Sequence, residues 1–294
     1  MKRCLFIINP SSGQRTIQNT LDKLIGQLTL RQLINHIDVF YTLKKDDAYF
    51  KALNADEQDY DFITVVGGDG TINEVVSGMV ASDKKIPLCI LAAGTVNDFA
   101  NYLNLPSNIE GVCNLINNFK TVCCDVGKIN ERYFMNVAAG GISFTVSKAD
   151  KKRLGPLAYY LNGIANLPSQ LNTNINLKIV LDDANILETE AKMFMVTNTN
   201  RVGGFENIIP YADIQDGMLD LIVIKKCSVT DLVALSKDYL LKKHANSPFI
   251  SYVQAKKIEI YSQQKVVIDI DGEEGSPLPV TIEAISQAIN ILVP

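Results

Sequence analysis

The sequence predicts an α/β protein, with a doubly wound unit in its first part and an antiparallel β-sandwich in the remainder. Three observations carry this. Strand-like and helix-like segments alternate through the first third of the chain, the early strands are unbroken apolar runs, and after about Thr121 short strands follow one another through tight turns. Alternating strands and helices build parallel βαβ crossovers, and a strand covered on both faces reads as a continuous apolar run. Consecutive strands with short turns build antiparallel sheets.

Residues 4–8 form the first apolar run, and Ile17, Leu21, Leu24, Ile25 and Leu28 mark one stripe of a helix over residues 16–28. Strands over 37–41, 62–66 and 87–91 then alternate with helices over 47–53, 72–80 and 97–103, and residues 67–71 read as a loop. Further on, strands are predicted at 122–129, 133–138, 175–181, 191–196, 219–224, 257–261, 265–270 and 280–285, with helices over 157–167 and 229–241. The change of pattern places a domain boundary between residues 124 and 125, giving a first domain over 1–124 and a second over 125–285.

The 294 residues exceed the usual size of one domain, and 47% apolar with 20% charged residues suits a folded chain with a sizeable core. A net charge of -4 argues against a broad nucleic-acid surface, so no nucleic-acid partner is expected. The cysteines Cys4, Cys89, Cys113, Cys123, Cys124 and Cys227 form no Cys-x-x-Cys pair. They read as reduced thiols of a cytoplasmic protein rather than a disulfide set or a zinc site. Lys2-Arg3 before an apolar run imitates a signal peptide, but Asn9-Pro10 ends that run far too early. No stretch approaches the roughly 20 apolar residues of a membrane span, so any work on a membrane is expected from its surface.

Three strand ends carry the chemistry. In Val66-Gly67-Gly68-Asp69-Gly70-Thr71 a buried strand runs through glycines into a helix. Glycine lets an anionic group approach the backbone closely, and the helix start offers unpaired N–H groups. Asp69 suits a magnesium ion bridging to a phosphate. Asn9-Pro10-Ser11-Ser12-Gly13 and Gly94-Thr95-Val96-Asn97-Asp98 follow two other strands. In a parallel sheet all three loops lie along one edge, where ligands bind. Each alone could be a turn or a helix cap; together they favour a shared phosphate-bearing ligand.

These segments, in this order and with Phe99-Ala100 following the third, resemble the diacylglycerol kinase catalytic-domain family, and within it the soluble bacterial lipid kinases. The likeness continues through Asp125-Val126-Gly127, Asn136-Val137-Ala138-Ala139-Gly140-Gly141, Asp216-Gly217-Met218-Leu219-Asp220 and Asp271-Gly272-Glu273. Ala92-Ala93 departs from the Pro-Ala or Pro-Leu common in related sequences. The resemblance implies ATP and Mg²⁺ as cofactors and a membrane lipid hydroxyl as acceptor. It implies a nucleotide site formed by Asn9, Pro10, Ser11, Ser12, Gly13, Thr42, Gly67, Gly68, Asp69, Gly70, Thr71, Glu74, Gly94, Thr95, Asn97 and Asp98. Residues 286–294 are expected to return to the first domain.

The same resemblance implies a structural magnesium site from Asp213, Asp216 and the Met218 carbonyl, while Asp220 reads as a turn residue. Strand alternation puts Asp269 and Asp271 on the face opposite Ile268 and Ile270, although Asp-Gly is also a common hairpin turn. Asp271 is the expected proton acceptor because it ends an apolar strand, with Glu273 as its competitor. Lys148, Lys151, Lys152 and Arg153 precede an apolar helical stripe; they offer a docking surface for anionic lipid, although a core-packed helix with a solvated charge run is the commoner arrangement. A homodimer is left open. The competing activities are a NAD kinase, whose Gly-Ser-Thr-Ala-Tyr-type segment is missing here, and a nucleotide- or lipid-binding protein without catalysis, which the four cleft acids Asp69, Asp98, Asp271 and Glu273 speak against.

Overall fold

The computed structural model describes residues 2–12, 17–141, 174–240 and 247–294. Gly13, the basic run 148–153 and the helix expected over 157–167 lie outside these residues. Four parallel strands, β1 (Lys2–Ile8), β2 (Ile34–Tyr41), β3 (Phe62–Gly67) and β4 (Leu88–Ala92), stand in the order β2-β1-β3-β4. Helices α1 (Ile17–Leu30), α2 (Asp47–Leu53), α3 (Asp69–Ala81), α4 (Asp98–Tyr102) and α5 (Ile109–Asn118) connect and flank them.

The apolar run of β1 serves two cores. Leu5 and Ile7 join Ala48, Ala52, Val75 and Met79 of α2 and α3 on one face. Cys4, Phe6 and Ile8 join Leu21, Leu24 and Leu28 of α1, with Val112 and Ile116 of α5, on the other. Alternate side chains point to opposite faces, so a strand between two helical layers must be apolar throughout. Helix α5 escapes sequence reading because Gly111, Asn114, Asn117 and Asn118 are weak helix formers. It is fixed instead by its cap, the Asn108 side chain accepting the Gly111 N–H at 2.7 Å.

The second unit comprises β5 (Thr121–Ile129), β6 (Arg132–Phe134), β7 (Val137–Gly141), β8 (Ile175–Leu181), β9 (Asn185–Thr197), β10 (Leu219–Lys225), β11 (Ile250–Ala255), β12 (Lys257–Tyr261), β13 (Val267–Ile270), β14 (Glu273–Pro277) and β15 (Val280–Leu292), with α6 (Val229–Leu240). Its strands pair antiparallel around Phe134, Phe194, Leu221, Ile258, Ile268 and Ile282. The single strand expected over 133–138 is two strands, broken at Met135 and Asn136, whose N–H groups turn to the Asp271 carboxylate. Strand β14 is too polar to read as one, Glu-Glu-Gly-Ser-Pro, and exists through its hairpin with β13. All six cysteines are free.

One strand belongs to both units. β15 pairs antiparallel with β12 and β5, and Ile291 then aligns in parallel with Leu88 of β4. Its register against β5 shifts between Ile285 and Ile289, so three residues bulge opposite Asp125. Gln287, at φ 51°, turns its N–H to Asp125 Oδ1 at 2.7 Å, and the Gly217 N–H reaches Oδ2 at 2.6 Å. Asp125 is fully buried. Removing the carboxylate leaves two buried donors unpaired, so Asp125→Ala should cost about 2–5 kcal/mol in urea denaturation; a loss below about 0.5 kcal/mol would show that water satisfies both donors.

Candidate active site

The three predicted loops meet at the carboxyl ends of β1, β3 and β4, around the position where the strand order reverses between β1 and β3. Asp69, Gly70 and Thr71, expected in a loop, form the first turn of α3, with Gly68 as N-cap. The first N–H groups of a helix have no partner within it, which is what a phosphate cradle requires. Thr71 folds back under Gly67, where a Cβ would meet its side chain at 2.5 Å. Asn9 Nδ2 donates to Thr71 Oγ1 at 2.9 Å, and the Gly68 N–H reaches Ser12 Oγ at 3.3 Å. Gly68 and Gly94 touch through their backbones, a Cβ on Gly94 falling 2.8 Å from Gly68 Cα. The third loop folds on itself, Asn97 Oδ1 accepting the Gly94 N–H at 2.8 Å with Asn97 at φ 55°.

Around this cradle Pro10, Ser11, Gly70 and Thr95 are exposed, and Thr42 is buried beside β1, its N–H donating to the Ile8 carbonyl at 2.9 Å. Glu74 faces away from the loops toward α2, where the Asp46 and Ala48 N–H groups point at its carboxylate. It caps α2, a task that the motif alone did not reveal.

Two acids sit at the bottom of the cleft. Asp69 Oδ2 accepts the Asn97 N–H at 2.9 Å, while Oδ1 is buried with no hydrogen-bond partner. Burial pushes the Asp69 carboxyl up. Asp98 is also buried and takes the Gly204 N–H on both oxygens, at 3.0 and 3.2 Å. Burial raises its carboxyl, with the Asp69 charge adding to the effect against the pull of Gly204. Gly204 lies on the long β9–β10 connection, so the second unit reaches into the nucleotide loops.

The β13–β14 hairpin faces the same cleft. Asp271 and Gly272 are its two turn residues, at φ 49° and 85°, the pattern of a type I′ turn. The strand therefore ends at Ile270, and the expected alternation fails one residue later. Asp269 stays exposed, whereas the Asp271 carboxylate turns inward. Its Oδ2 accepts the Met135 N–H at 2.8 Å and Asn73 Nδ2 at 2.9 Å; its Oδ1 accepts the Asn136 and Val137 N–H groups at 3.1 and 2.9 Å. Four donors fill the carboxylate's four lone-pair positions. Asp271 thus ties the hairpin to α3 and β7. Glu273, one residue past the turn, is exposed, and its Oε2 pairs with Lys45 and Arg132. Sequence reading missed Asn73, Lys45, Arg132 and Gly204; only Asn73 left a signal, as part of the glycine motif.

The acidic loop before β10 holds itself together. Asp213 Oδ1 accepts the Gln215 N–H at 3.0 Å, Asp216 Oδ1 the Met218 N–H at 2.8 Å, and Asp216 Oδ2 the Gln254 side chain at 3.2 Å. Among the described residues no three acids, histidines or cysteines are grouped closely enough to hold a metal. Asp220, expected in a turn, instead lies buried in β10 and receives the Tyr252 hydroxyl at 2.6 Å.

Burial raises the Asp271 carboxyl from 3.8 to about 6, against the pull of its four donors. The folded state then binds this proton more tightly than the unfolded chain. The contribution of Asp271 to stability is greatest below about pH 4 and falls as pH rises to about 6. Urea denaturation at both ends of that window should show the advantage of the parent over Asp271→Asn shrinking with pH. An advantage that grows with pH would mean that the four donors outweigh desolvation.

Residues 3–129 match the model of the diacylglycerol kinase catalytic domain, and residues 136–293 that of the YegS C-terminal NAD kinase beta sandwich-like domain. A diacylglycerol kinase of Staphylococcus epidermidis is 35% identical over 297 residues, covering 100% of this chain and 92% of the relative. One of Bacillus subtilis is 33% identical over 299 residues, covering 100% and 97%. A crystal structure of a diacylglycerol kinase from Bacillus anthracis superimposes with a TM-score of 0.83 at 29% identity, over 99% of this chain and 97% of that one. An Archaeoglobus fulgidus NAD kinase shares the fold alone, with a TM-score of 0.56 at 13% identity over 98% and 93%. With full-length relatives above 30% identity and both units matched, this chain belongs to the diacylglycerol kinase catalytic-domain family and is a kinase by descent.

Proposed function

We propose that the chain transfers the γ-phosphate of ATP to the hydroxyl of diacylglycerol, giving phosphatidic acid. The observation that carries this is the convergence of three strand-end loops on one phosphate cradle, directly across a cleft from the acids of the β13–β14 hairpin. Phosphoryl transfer asks mainly for positioning and for charge placed around the moving group, and the cleft supplies both. The names of the full-length relatives favour diacylglycerol as acceptor over NAD.

In this reading the first turn of α3 and the Asn9–Ser12 and Gly94–Asn97 loops bind the ATP phosphates. Magnesium neutralises phosphate charge when bound. Asp69 is its natural holder, because a buried carboxylate oxygen without a partner suits a hard cation. Asp213, Asp216 and the Met218 carbonyl offer oxygen ligands of the right kind for a second, structural ion, although their carboxylates are engaged in local turns. Glu273, rather than Asp271, takes the proton of the acceptor hydroxyl. It is exposed to the cleft, whereas the four donors on Asp271 would have to be displaced before a hydroxyl could reach it. Among the described residues no helix is long and apolar enough to cross a membrane, and in this reading the lipid is reached at the membrane surface.

Purified protein given labelled ATP, magnesium and mixed micelles should label diacylglycerol; transfer to NAD with no lipid product would overturn the reading. Glu273→Gln should lower kcat by ~10²–10⁴-fold with an unchanged melting temperature, since Glu273 lies on the surface. A variant as active as the parent would remove Glu273 from proton transfer.

A further inference from the structure

Glu273 is held by two cations that no motif of the family reading includes. Lys45 Nζ lies 2.9 Å from Glu273 Oε2, and Arg132 Nη2 lies 3.3 Å from the same oxygen. Oε1 has neither a hydrogen bond nor an ion pair among the described residues. Lys45 belongs to the nucleotide-binding unit, between β2 and α2, whereas Arg132 opens β6 of the sandwich. The two cations therefore approach from opposite walls of the cleft.

An ion pair on a protein surface is ordinarily worth little, because two long side chains must give up their freedom to hold it. Here the guanidinium of Arg132 and the backbone that carries Lys45 are both fixed independently of the pair. Arg132 Nη1 donates to the Glu274 carbonyl at 2.9 Å, fixing the guanidinium plane against the strand that carries Glu273. The backbone on either side of Lys45 is pinned. Asp47 Oδ2 accepts the Leu43 and Lys44 N–H groups at 2.8 and 3.0 Å. The next residue, Asp46, adopts a left-handed conformation at φ 68°, and its N–H faces Glu74 of α3. The acids Asp46, Glu74 and Glu273 gather here: burial raises the Glu74 carboxyl, and the charges of Asp46 and Glu273 add to it. Glu273 in turn raises the Lys45 ammonium above its ordinary value.

We propose that Lys45 and Arg132 form a clamp that fixes one oxygen of Glu273 and leaves the other for the acceptor hydroxyl, making Lys45 a positioning residue supplied by the nucleotide-binding unit. This rests on the reading of Glu273 as proton acceptor. A general base must come within hydrogen-bond reach of its proton, and a glutamate one residue past a glycine turn has no other anchor. Because Lys45 stands on the opposite wall, the base is oriented only while the two units are apposed.

The test is a double-mutant cycle, with diacylglycerol in mixed micelles as acceptor. Lys45→Met should lower kcat ~10-fold, less than loss of the base itself, with the KM for ATP and the melting temperature unchanged. Lys45→Arg, which keeps the charge and the reach, should recover most of the loss. In the Glu273→Gln background, Lys45→Met should cost nothing further. An equal loss from Lys45→Met in both backgrounds, or parental kcat for Lys45→Met beside a collapsed Glu273→Gln, would overturn the clamp while leaving Glu273 as base. Parental kcat for Glu273→Gln would instead sink the assignment of the base, and the clamp with it.

Discussion

Everything in this molecule turns around one buried carboxylate. Asp125 stands on β5 where the chain leaves the parallel sheet, with no exposed surface, and its oxygens accept N–H groups from the β15 bulge and from Gly217. Its own N–H donates to the Ile214 carbonyl, and its carbonyl receives Asn198 Nδ2. A carboxylate is tolerated in such a place only if its hydrogen-bonding capacity is met. Here meeting it fixes three segments that are distant in sequence: the bulge that carries β15 from one unit to the other, the acidic loop before β10, and the end of β9. The position of the hairpin acids relative to the phosphate cradle follows from this junction.

The cleft repeats the same economy. Asp69, Asp98 and Asp271 are each held by backbone N–H groups from another element, and burial raises each of them. Carboxylates so engaged hold the backbone, and a hydroxyl can reach them only where an oxygen is left without a donor. Spare hydrogen-bonding capacity remains at the unpartnered oxygen of Asp69 and at the cation-held Glu273. The hairpin thus sets a fully donated carboxylate and an exposed, cation-held one on either side of Gly272.

Much of this was legible in the sequence. The apolar runs of β1, β3 and β4 announce a sheet covered on both faces, and the glycines after β3 mark a crowded turn, where the Thr71 side chain lies under Gly67 and Gly94 packs on Gly68. What remained hidden depends on partners remote in sequence. The donors that fill Asp271 come from Asn73 and from residues 135–137, and no local pattern reports them. Helix α5 and strand β14 were unreadable because a cap, in one case, and a hairpin partner, in the other, outweigh poor propensity. The ranking of Asp271 over Glu273 drew on strand position alone, and the donors around Asp271 were invisible to it for the same reason. A residue at the end of an apolar strand is well placed, but what it is placed for depends on which donors surround it.

The path of β15 bears on how the protein comes into being. Its last turn of pairing completes the parallel sheet beside β4, a strand laid down much earlier in synthesis. Until β15 emerges from the ribosome, β4 presents an open edge and the adjoining core lacks Ile289 and Ile291. The parallel unit thus cannot close as an autonomous nascent domain. Its completion waits for the sandwich that interrupts it, and pairings so distant along the chain are slow to form. During that interval an unpaired, apolar strand edge is open to aggregation, so chaperone dependence should be concentrated in this phase of synthesis.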